Sequence, residues 1–560
     1  MRGDLALRGG RVLDVFSGRF RTADVLIGGG RIIGFGADAR RSVNVDGTYL
    51  VPGLIDTHVH IESSQLSPAS FAHAVLPHGT TTVIADPHEI ANVLGVDGVR
   101  QMLADTEGLA LRVFFMAPSC VPASPFETSG ARIGAEEIAL LLGWERVLGL
   151  GEVMNYPGVV RGDPEVMAKL RAARGRPIDG HAPGLRGDAL ATYIAAGPQT
   201  DHECSTLAEA EEKLSAGMHI LIREGSAARN LDELLPLLTE RTAPFVHFCT
   251  DDRHAETILR EGHIDGMIRR AVAAGIPAET AVAAATIHAA RAYGIQGIGA
   301  IAPGYAADLL VLSDLKTFAI CDVYAGGRRV DGDGGPASGT SPAARNSLCI
   351  RLPETPFRIP AAPRGVVRAL VAHPEGLVTD EERVSPRVVD GDVVADPARD
   401  LLKLAVVERH RGTGRVGVGL VRGFGLSSGA LASTVAHDSH NLIVVGTDDV
   451  AMRTAVRRLS ELGGGQVIVD GDRVVAELAL PIAGLMSPRP IEEVAAAQTR
   501  LEAAAHALGC RLPSPFMTLS FLALPVIPHL KLTDRGWVDV DRFEIVPLYV
   551  DEDARRSRTT

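Results

Sequence analysis

Lysine is scarce in this 560-residue chain, with only Lys169, Lys213, Lys316, Lys403 and Lys531. Arginine carries the rest of the positive charge, and 56 basic residues against 68 acidic ones leave a net charge of −12. A negative chain without basic runs excludes nucleic acid as the main partner. Cysteine is sparse too: Cys120, Cys204, Cys249, Cys321, Cys349 and Cys510, no two of them spaced as CxxC. That pattern speaks against a disulfide framework or a cysteine zinc knuckle, and a reducing cytoplasm is expected. No apolar run approaches the ~18 residues of a membrane span, so no membrane partner is expected. Asp4 falls where a signal peptide needs its apolar core, so no secretory signal is expected. No GxGxxG opens a first βαβ unit, which weakens a dinucleotide-binding reading.

What is present changes character along the chain. Residues 4–50 read as short strands broken by glycines, and LALRGGRVLD and DVLIGGGRIIGFG both carry a hairpin signal. From residue 53 to 300, apolar β-branched runs (TTTVIAD, LRVFFMAP, RVLGLGEV, HILIREG, PFVHFCTD) alternate with Ala/Leu-rich helical segments. Repeated strand-then-helix over this length predicts an α/β fold with a (β/α)8 barrel. Residues 301–332 return to strand character and are expected to join residues 1–52 in one small β-sandwich flanking the barrel. Residues 333–365, rich in Gly and Pro, read as a linker. Residues 366–560 read as a C-terminal α/β domain, with a helix at DDVAMRTAVRRLSELG and a tight turn at Asp470-Gly471.

Chemistry in a barrel belongs at the C-terminal ends of its strands. Twelve of 18 histidines precede residue 300. In LIDTHVH, His58 and His60 are two apart and so share one side of a strand, where both imidazoles can face one metal ion. Glu152 ends RVLGLGE, His181 follows RPIDG, His202 sits in TDHE, and Asp251 and Asp252 end PFVHFCTD. Taken singly, each is equally a hydrogen-bonded core histidine or a helix cap. Together they form a set of imidazoles and carboxylates suited to Zn²⁺, Mn²⁺ or Fe²⁺. His88 and Glu89 are candidates for proton transfer or substrate contact, with a turn at Asp86-Pro87 and a helix cap as the structural reading. Glu62 and Glu203 could orient ligand histidines or be solvated neighbours, and His254 is open in the same way. In HDSHN, His437, Asp438, His440 and Asn441 could reach the active site as a lid, touch a neighbouring subunit, or form a turn. His78, His288, Phe114, Phe115, Met116 and Phe126 read as structural.

VPGLIDTHVHIES, HGTTTVIADPHEIANVLG, GLGEVMN, DGHAPG, TDHE and FCTDDRH resemble the amidohydrolase superfamily, and within it the bacterial adenine deaminase family. The resemblance covers most of residues 1–330, and the C-terminal region also resembles that family's extra domain. It implies a metal-dependent, TIM-like barrel. His58 and His60 would bind a first metal, His181 and His202 a second, Glu152 would bridge them, and Asp251 would be the ligand from the eighth strand. Many relatives bridge with a carboxylated lysine, but the first lysine here is Lys169. The implied reaction is hydrolysis of adenine to hypoxanthine and ammonia by a metal-bridged hydroxide attacking C6. Asp251 is the first candidate for moving the proton, Asp252 a contact to the purine, and Glu89 and His88 follow. Two divalent ions, Mn²⁺ or Fe²⁺ with Zn²⁺ also acceptable, a small-molecule purine substrate and a homo-oligomer (dimer or tetramer) go with this expectation. The alternatives are a barrel hydrolase acting on a cyclic amide or another heterocycle, an inactive scaffold, and a metal-storage protein.

Overall fold

The computed structural model describes residues 2–330, 347–362, 365–374 and 378–550. Its centre is a barrel of eight parallel strands that follow one another in chain order: Leu54–Val59, Thr80–Ala85, Arg112–Ala117, Val147–Val153, Ile178–Gly180, Thr200–Asp201, His219–Arg223 and Val246–Cys249. They are called barrel strands 1 to 8 below. Strands 1 to 5 form one hydrogen-bonded sheet and strands 6 to 8 another. Gln199 N–H donates to Ile178 O at 2.9 Å and joins strands 5 and 6. Asp251 N–H donates to His58 O at 3.0 Å and closes strand 8 onto strand 1. The closed (β/α)8 arrangement expected from the strand–helix alternation is therefore present.

Strands 1 and 2 are buried at every position, as parallel strands covered on both faces must be. Polar side chains inside this wall are paired across it. Asp56 accepts from Thr250 N–H at 3.1 Å and from its hydroxyl at 2.5 Å, fixing the register of strand 8 against strand 1. Gly151 in strand 4 has a steric reason: a Cβ there would lie 2.2 Å from Asp86 Oδ2. The bare backbone lets that carboxylate accept the Glu152 N–H at 2.9 Å.

Two further sheets, drawn from residues 3–52 and 309–329, enclose an apolar layer that includes Leu7, Val25, Ile27, Leu50, Leu309 and Val311. DVLIGGGRIIGFG forms the expected hairpin. LALRGGRVLD does not: Gly3–Arg8 pairs with Val25–Gly28 and Ala39–Asn44, whereas Arg11–Asp14 pairs with Arg19–Thr22 and Tyr49–Pro52. Gly9 (φ +82°) and Gly10 carry the chain from one sheet to the other, so the two flanks of the turn lie in different sheets and pack Leu7 and Val12 into the layer between them.

Of the segment read as a linker, residues 333–346 and 363–364 lie outside the described residues. Within 347–362, Phe357 and Ile359 are buried in the C-terminal cores. The C-terminal region is built on a mostly antiparallel sheet with the helix Asp449–Leu462 against it. Asp448 caps that helix by accepting from Val450 and Ala451 N–H, and Gly463 ends it in the left-handed region. The Asp470-Gly471 turn joins Gly465–Asp470 to Arg473–Ala479 as expected.

The C-terminal region grips the barrel at the loop after strand 3. Asp534 accepts from Thr128 N–H at 2.9 Å and from its hydroxyl at 2.7 Å. Asn441 donates to Thr128 O at 2.8 Å, and Thr533 to Phe126 O at 2.6 Å. The HDSHN segment lies between Ala430–Ser433 and Leu442–Gly446 and is wholly buried. Among the described residues, no helix is long and apolar enough to cross a membrane.

Candidate metal centre

Every sequence-predicted ligand sits at the C-terminal mouth of the barrel. His58 is in strand 1 and His60 just past it; Glu152 is in strand 4. His181 and His202 directly follow strands 5 and 6, and Asp251 follows strand 8. Asp251 adopts φ +54°, an uncommon conformation for an L-residue with a side chain and one that clusters at functional sites.

The two oxygens of Glu152 face two imidazole pairs. Oε1 lies 3.2 Å from His60 Nε2 and 3.7 Å from His58 Nε2. Oε2 lies 2.6 Å from His181 Nδ1 and 3.4 Å from His202 Nε2. Asp251 Oδ1 is 3.0 Å from His60 Nε2 and 3.5 Å from His58 Nε2. Donor atoms about 2.1 Å from a common ion stand roughly 3 Å apart, so these spacings suit shared metals. A tautomer argument strengthens the fit. His60 Nδ1 donates to Asp86 O at 2.9 Å, so in the neutral ring its Nε2 carries a lone pair, and that lone pair faces Asp251 Oδ1 at 3.0 Å and Glu152 Oε1 at 3.2 Å. Converging lone pairs in a buried site call for a cation, and a ligand imidazole held by a backbone carbonyl is the usual support for one.

The chain arranges this centre through local pairing. Tyr193 OH accepts from His181 N–H and donates to Val153 O, both at 3.0 Å, tying strand 4 to the residue after strand 5. Lys213, fully buried, donates to Asp201 Oδ2 at 2.8 Å, to Glu209 Oε1 at 2.6 Å and to Ala182 O at 2.6 Å. It thereby holds the backbone beside both His181 and His202. Two residues that the sequence reading missed also take part. Arg223, at the end of strand 7, donates to Asp251 Oδ2 at 2.9 Å and pairs with Glu203. Its signal was an arginine ending an apolar strand. Ser63 Oγ lies 2.5 Å from both Glu89 Oε1 and Asp252 Oδ1. One hydroxyl proton cannot serve two carboxylates, so one of these acids holds a proton. Burial, the largest effect, raises Glu89 despite the opposing charge of His437.

Other candidates separate clearly. Glu203 stands 3.4 Å from His202 Nε2 and 3.8 Å from His181 Nδ1. Glu62 turns instead to Ile90, whose N–H it accepts at 3.2 Å, and so anchors the helix His88–Leu94. His88 Nδ1 is 3.5 Å from Glu152 Oε1, and its Nε2 is 3.8 Å from Asp438 Oδ1. His437 Nδ1 is 3.6 Å from Glu89 Oε1 and its ring stacks on Phe521 at 4.5 Å. The HDSHN segment thus meets His88 and Glu89 directly. His254 precedes the helix Ala255–Glu261, and burial pulls it down to about 4. His78 pairs with Asp265 at 3.2 Å, and His288 lines a separate cleft with His219 and Arg291. Phe115 and Met116 are core, while Phe126 packs edge-on against Phe543 at 4.7 Å.

Glu127, in the clamped loop, gives a pH test. Its Oε1 accepts from Ser124 N–H at 3.0 Å, and burial first, then Asp438, push the carboxyl up to about 8. The folded chain keeps this proton over a range in which the unfolded chain, near 4.5, has lost it. Its stabilising contribution is therefore complete below 4.5 and lost as pH rises through 8. Glu127→Gln should gain stability relative to the parent chain between pH 5 and pH 8, by up to about 5 kcal/mol in urea unfolding. A difference that does not change with pH would refute this.

Comparison with known proteins agrees with the geometry. The amidohydrolase family profile matches residues 49–330, and the adenine deaminase C-terminal domain profile matches residues 376–544. The chain is 51% identical to an adenine deaminase of Methanothrix thermoacetophila over 98% of each chain. It is 50% identical to one of Nitratidesulfovibrio vulgaris, over 98% of this chain and 96% of that one. Among solved structures it aligns with N-acetyl-D-glucosamine-6-phosphate deacetylase of Mycobacterium smegmatis at 21% identity and a TM-score of 0.44, over 58% of this chain and 100% of that one. Matched along nearly its whole length to such relatives, the chain belongs to the adenine deaminase family of amidohydrolases.

Proposed function

We propose that this chain hydrolyses adenine to hypoxanthine and ammonia. The observation that carries the reading is the Glu152 carboxylate set between two imidazole pairs, in a chain about half identical to adenine deaminases from end to end. His58, His60 and Asp251 would hold one divalent ion, His181 and His202 another, with Glu152 shared. Nitrogen and oxygen donors of this kind accept Mn²⁺ or Fe²⁺, and Zn²⁺ as well. When bound, such ions acidify water and place positive charge beside the carbon under attack.

The chain's own groups handle protons and orientation. Asp251 is held well below the ordinary carboxylate range: burial opposes this, but the neighbouring imidazoles of His58 and His60 and the charge of Arg223 outweigh it. It stays ionised and takes the proton of the attacking water at Oδ1. His88 faces Glu152 on one side and Asp438 on the other, and is placed to return a proton to the departing amine. Ser63 bridges Glu89 and Asp252. Ammonia leaves, the ring keeps the new oxygen as C6=O with the remaining water hydrogen on N1, and the proton held by Asp251 replaces the one His88 gave up. A cyclic-amide substrate has no comparable support, since the relatives matched end to end are adenine deaminases. All six cysteines are unpaired, which fits a cytoplasmic setting, and the expected assembly is a dimer or tetramer.

The test is to purify the chain with Mn²⁺ or Fe²⁺ supplied, count metals per chain, and follow adenine absorbance and ammonia release together. About two metals with stoichiometric ammonia is the expected result. Two metals without adenine turnover would overturn the substrate, and no metal would overturn the ligand assignment.

A further inference from the structure

His440 is fully buried, at 0% exposure, and its ring has one hydrogen-bond partner among the described residues: Ala436 N–H donates to Nδ1 at 3.2 Å. A backbone N–H only donates, so Nδ1 must carry the lone pair, and in the neutral ring the hydrogen sits on Nε2. Burial, reinforced by the positive charges of His437 and Arg409, keeps the ring neutral. The Nε2–H is therefore a buried donor without a hydrogen-bond partner among the described residues. Glu89 Oε2 is a buried acceptor in the same condition. Nitrogen and oxygen atoms of Glu89, His437 and His440 lie within 4.8 Å of one another. These three have the composition of a small metal site, but the tautomer rules that out for His440, whose Nε2 offers a hydrogen where a metal needs a lone pair. Orphaned buried polar atoms are costly, at about 1–3 kcal/mol each, and an unpartnered donor and an unpartnered acceptor in one cluster call for a ligand that satisfies both.

Adenine offers a donor beside an acceptor on three edges. Two of them, N1 with the amine and N7 with the amine, contain the group that leaves. The third pairs N3, an acceptor, with N9–H, a donor. Among the described residues, Glu89 is linked to the centre through intermediaries: Ser63 joins it to Asp252, and His437 and Asp438 join it to His88. A group that far from the reacting carbon suits the far edge of the ring. We propose that His440, supplied by the C-terminal region, is a substrate-binding residue whose Nε2–H donates to N3 of adenine while Glu89 Oε2 accepts from N9–H. This rests on the adenine reading above and adds how the free base is recognised. The contact with Ser63 is made by Glu89 Oε1 and leaves Oε2 free to accept.

The experiment is an atom-by-residue cycle on the metal-loaded enzyme. kcat/KM is measured for adenine and 3-deazaadenine, which lacks the N3 acceptor, with the parent chain and with His440→Phe. The parent should lose about 10- to 100-fold on 3-deazaadenine. His440→Phe should lose a similar factor on adenine, mainly in KM, and show no further loss on 3-deazaadenine. An undiminished 3-deaza penalty in His440→Phe would overturn the assignment of N3 to His440. A second measurement needs no variant: 9-methyladenine blocks the donor to Glu89, and turnover of it as efficient as that of adenine would overturn the edge assignment. Failure of the metal-loaded parent to deaminate adenine at all would overturn this proposal together with the function. Adenine turnover with analogues handled like adenine would overturn this proposal alone.

Discussion

Glu152→Gln should fold and yet deaminate adenine on the order of 10³-fold more slowly, with fewer than two metals per chain. Losing one preorganised charge at a reacting centre commonly costs 10²–10³-fold, and losing a group that only supports a metal ligand costs 10–100-fold. Glu152 does more than either, because its two oxygens serve two imidazole pairs at once. Glutamine has the same shape but offers one acceptor oxygen and one NH₂. Whichever way the amide is turned, one imidazole pair meets hydrogens instead of a lone pair. Metal analysis alongside adenine absorbance decides it. A variant that kept two metals and worked within tenfold of the parent would remove Glu152 from the bridging position.

Lys213→Met should cost about 3–5 kcal/mol of stability at neutral pH, the usual consequence of removing one member of a buried charge set. Asp201 is fully buried and Glu209 nearly so; without the ammonium both are stranded, and Ala182 O loses its donor. The pH dependence tells this apart from simple loss of packing. In the parent, burial raises Asp201 but the Lys213 charge, with His202 and hydrogen bonds, outweighs it and holds the carboxyl below 3.8. That stabilisation is present above 3.8 and lost as pH falls below it. In the variant the ammonium no longer offsets burial, so Asp201 takes up a proton more readily in the folded state and the deficit narrows from pH 7 to pH 5. Urea midpoints at the two pH values read it; a deficit equal at both would point to packing alone. Because the same lysine braces the backbone beside His181 and His202, metal affinity at that pair should fall as well.

Much of the architecture could be read from the chain because its signals are local. Apolar β-branched runs alternating with helical segments describe a barrel strand by strand, and HxH at the end of one strand is a spacing argument that needs no tertiary information. The histidines and carboxylates at strand ends converge because every parallel strand delivers its end to the same mouth. Other features had no local trace. The Arg-Gly-Gly turn looks like a hairpin in sequence, and only the partition of Leu7 and Val12 into separate sheets shows that it is a crossing between layers. Arg223 and Ser63 are single residues whose partners lie 28 and 189 positions away. HDSHN left a lid, an interface and a turn all open, since nothing in five residues says which surface they will meet. Its contacts to His88 and Glu89 are a property of how the C-terminal region docks.

That docking also sets an order of assembly. The last candidate ligand, Asp251, is made well before His440, which follows it by 189 residues (440 minus 251). At synthesis rates of 5–20 residues per second the gap is about 10 to 40 seconds. The barrel mouth is thus complete, and open, while the far end of the pocket is still unmade. Metal ions would have an unobstructed approach in that interval, before the C-terminal region arrives.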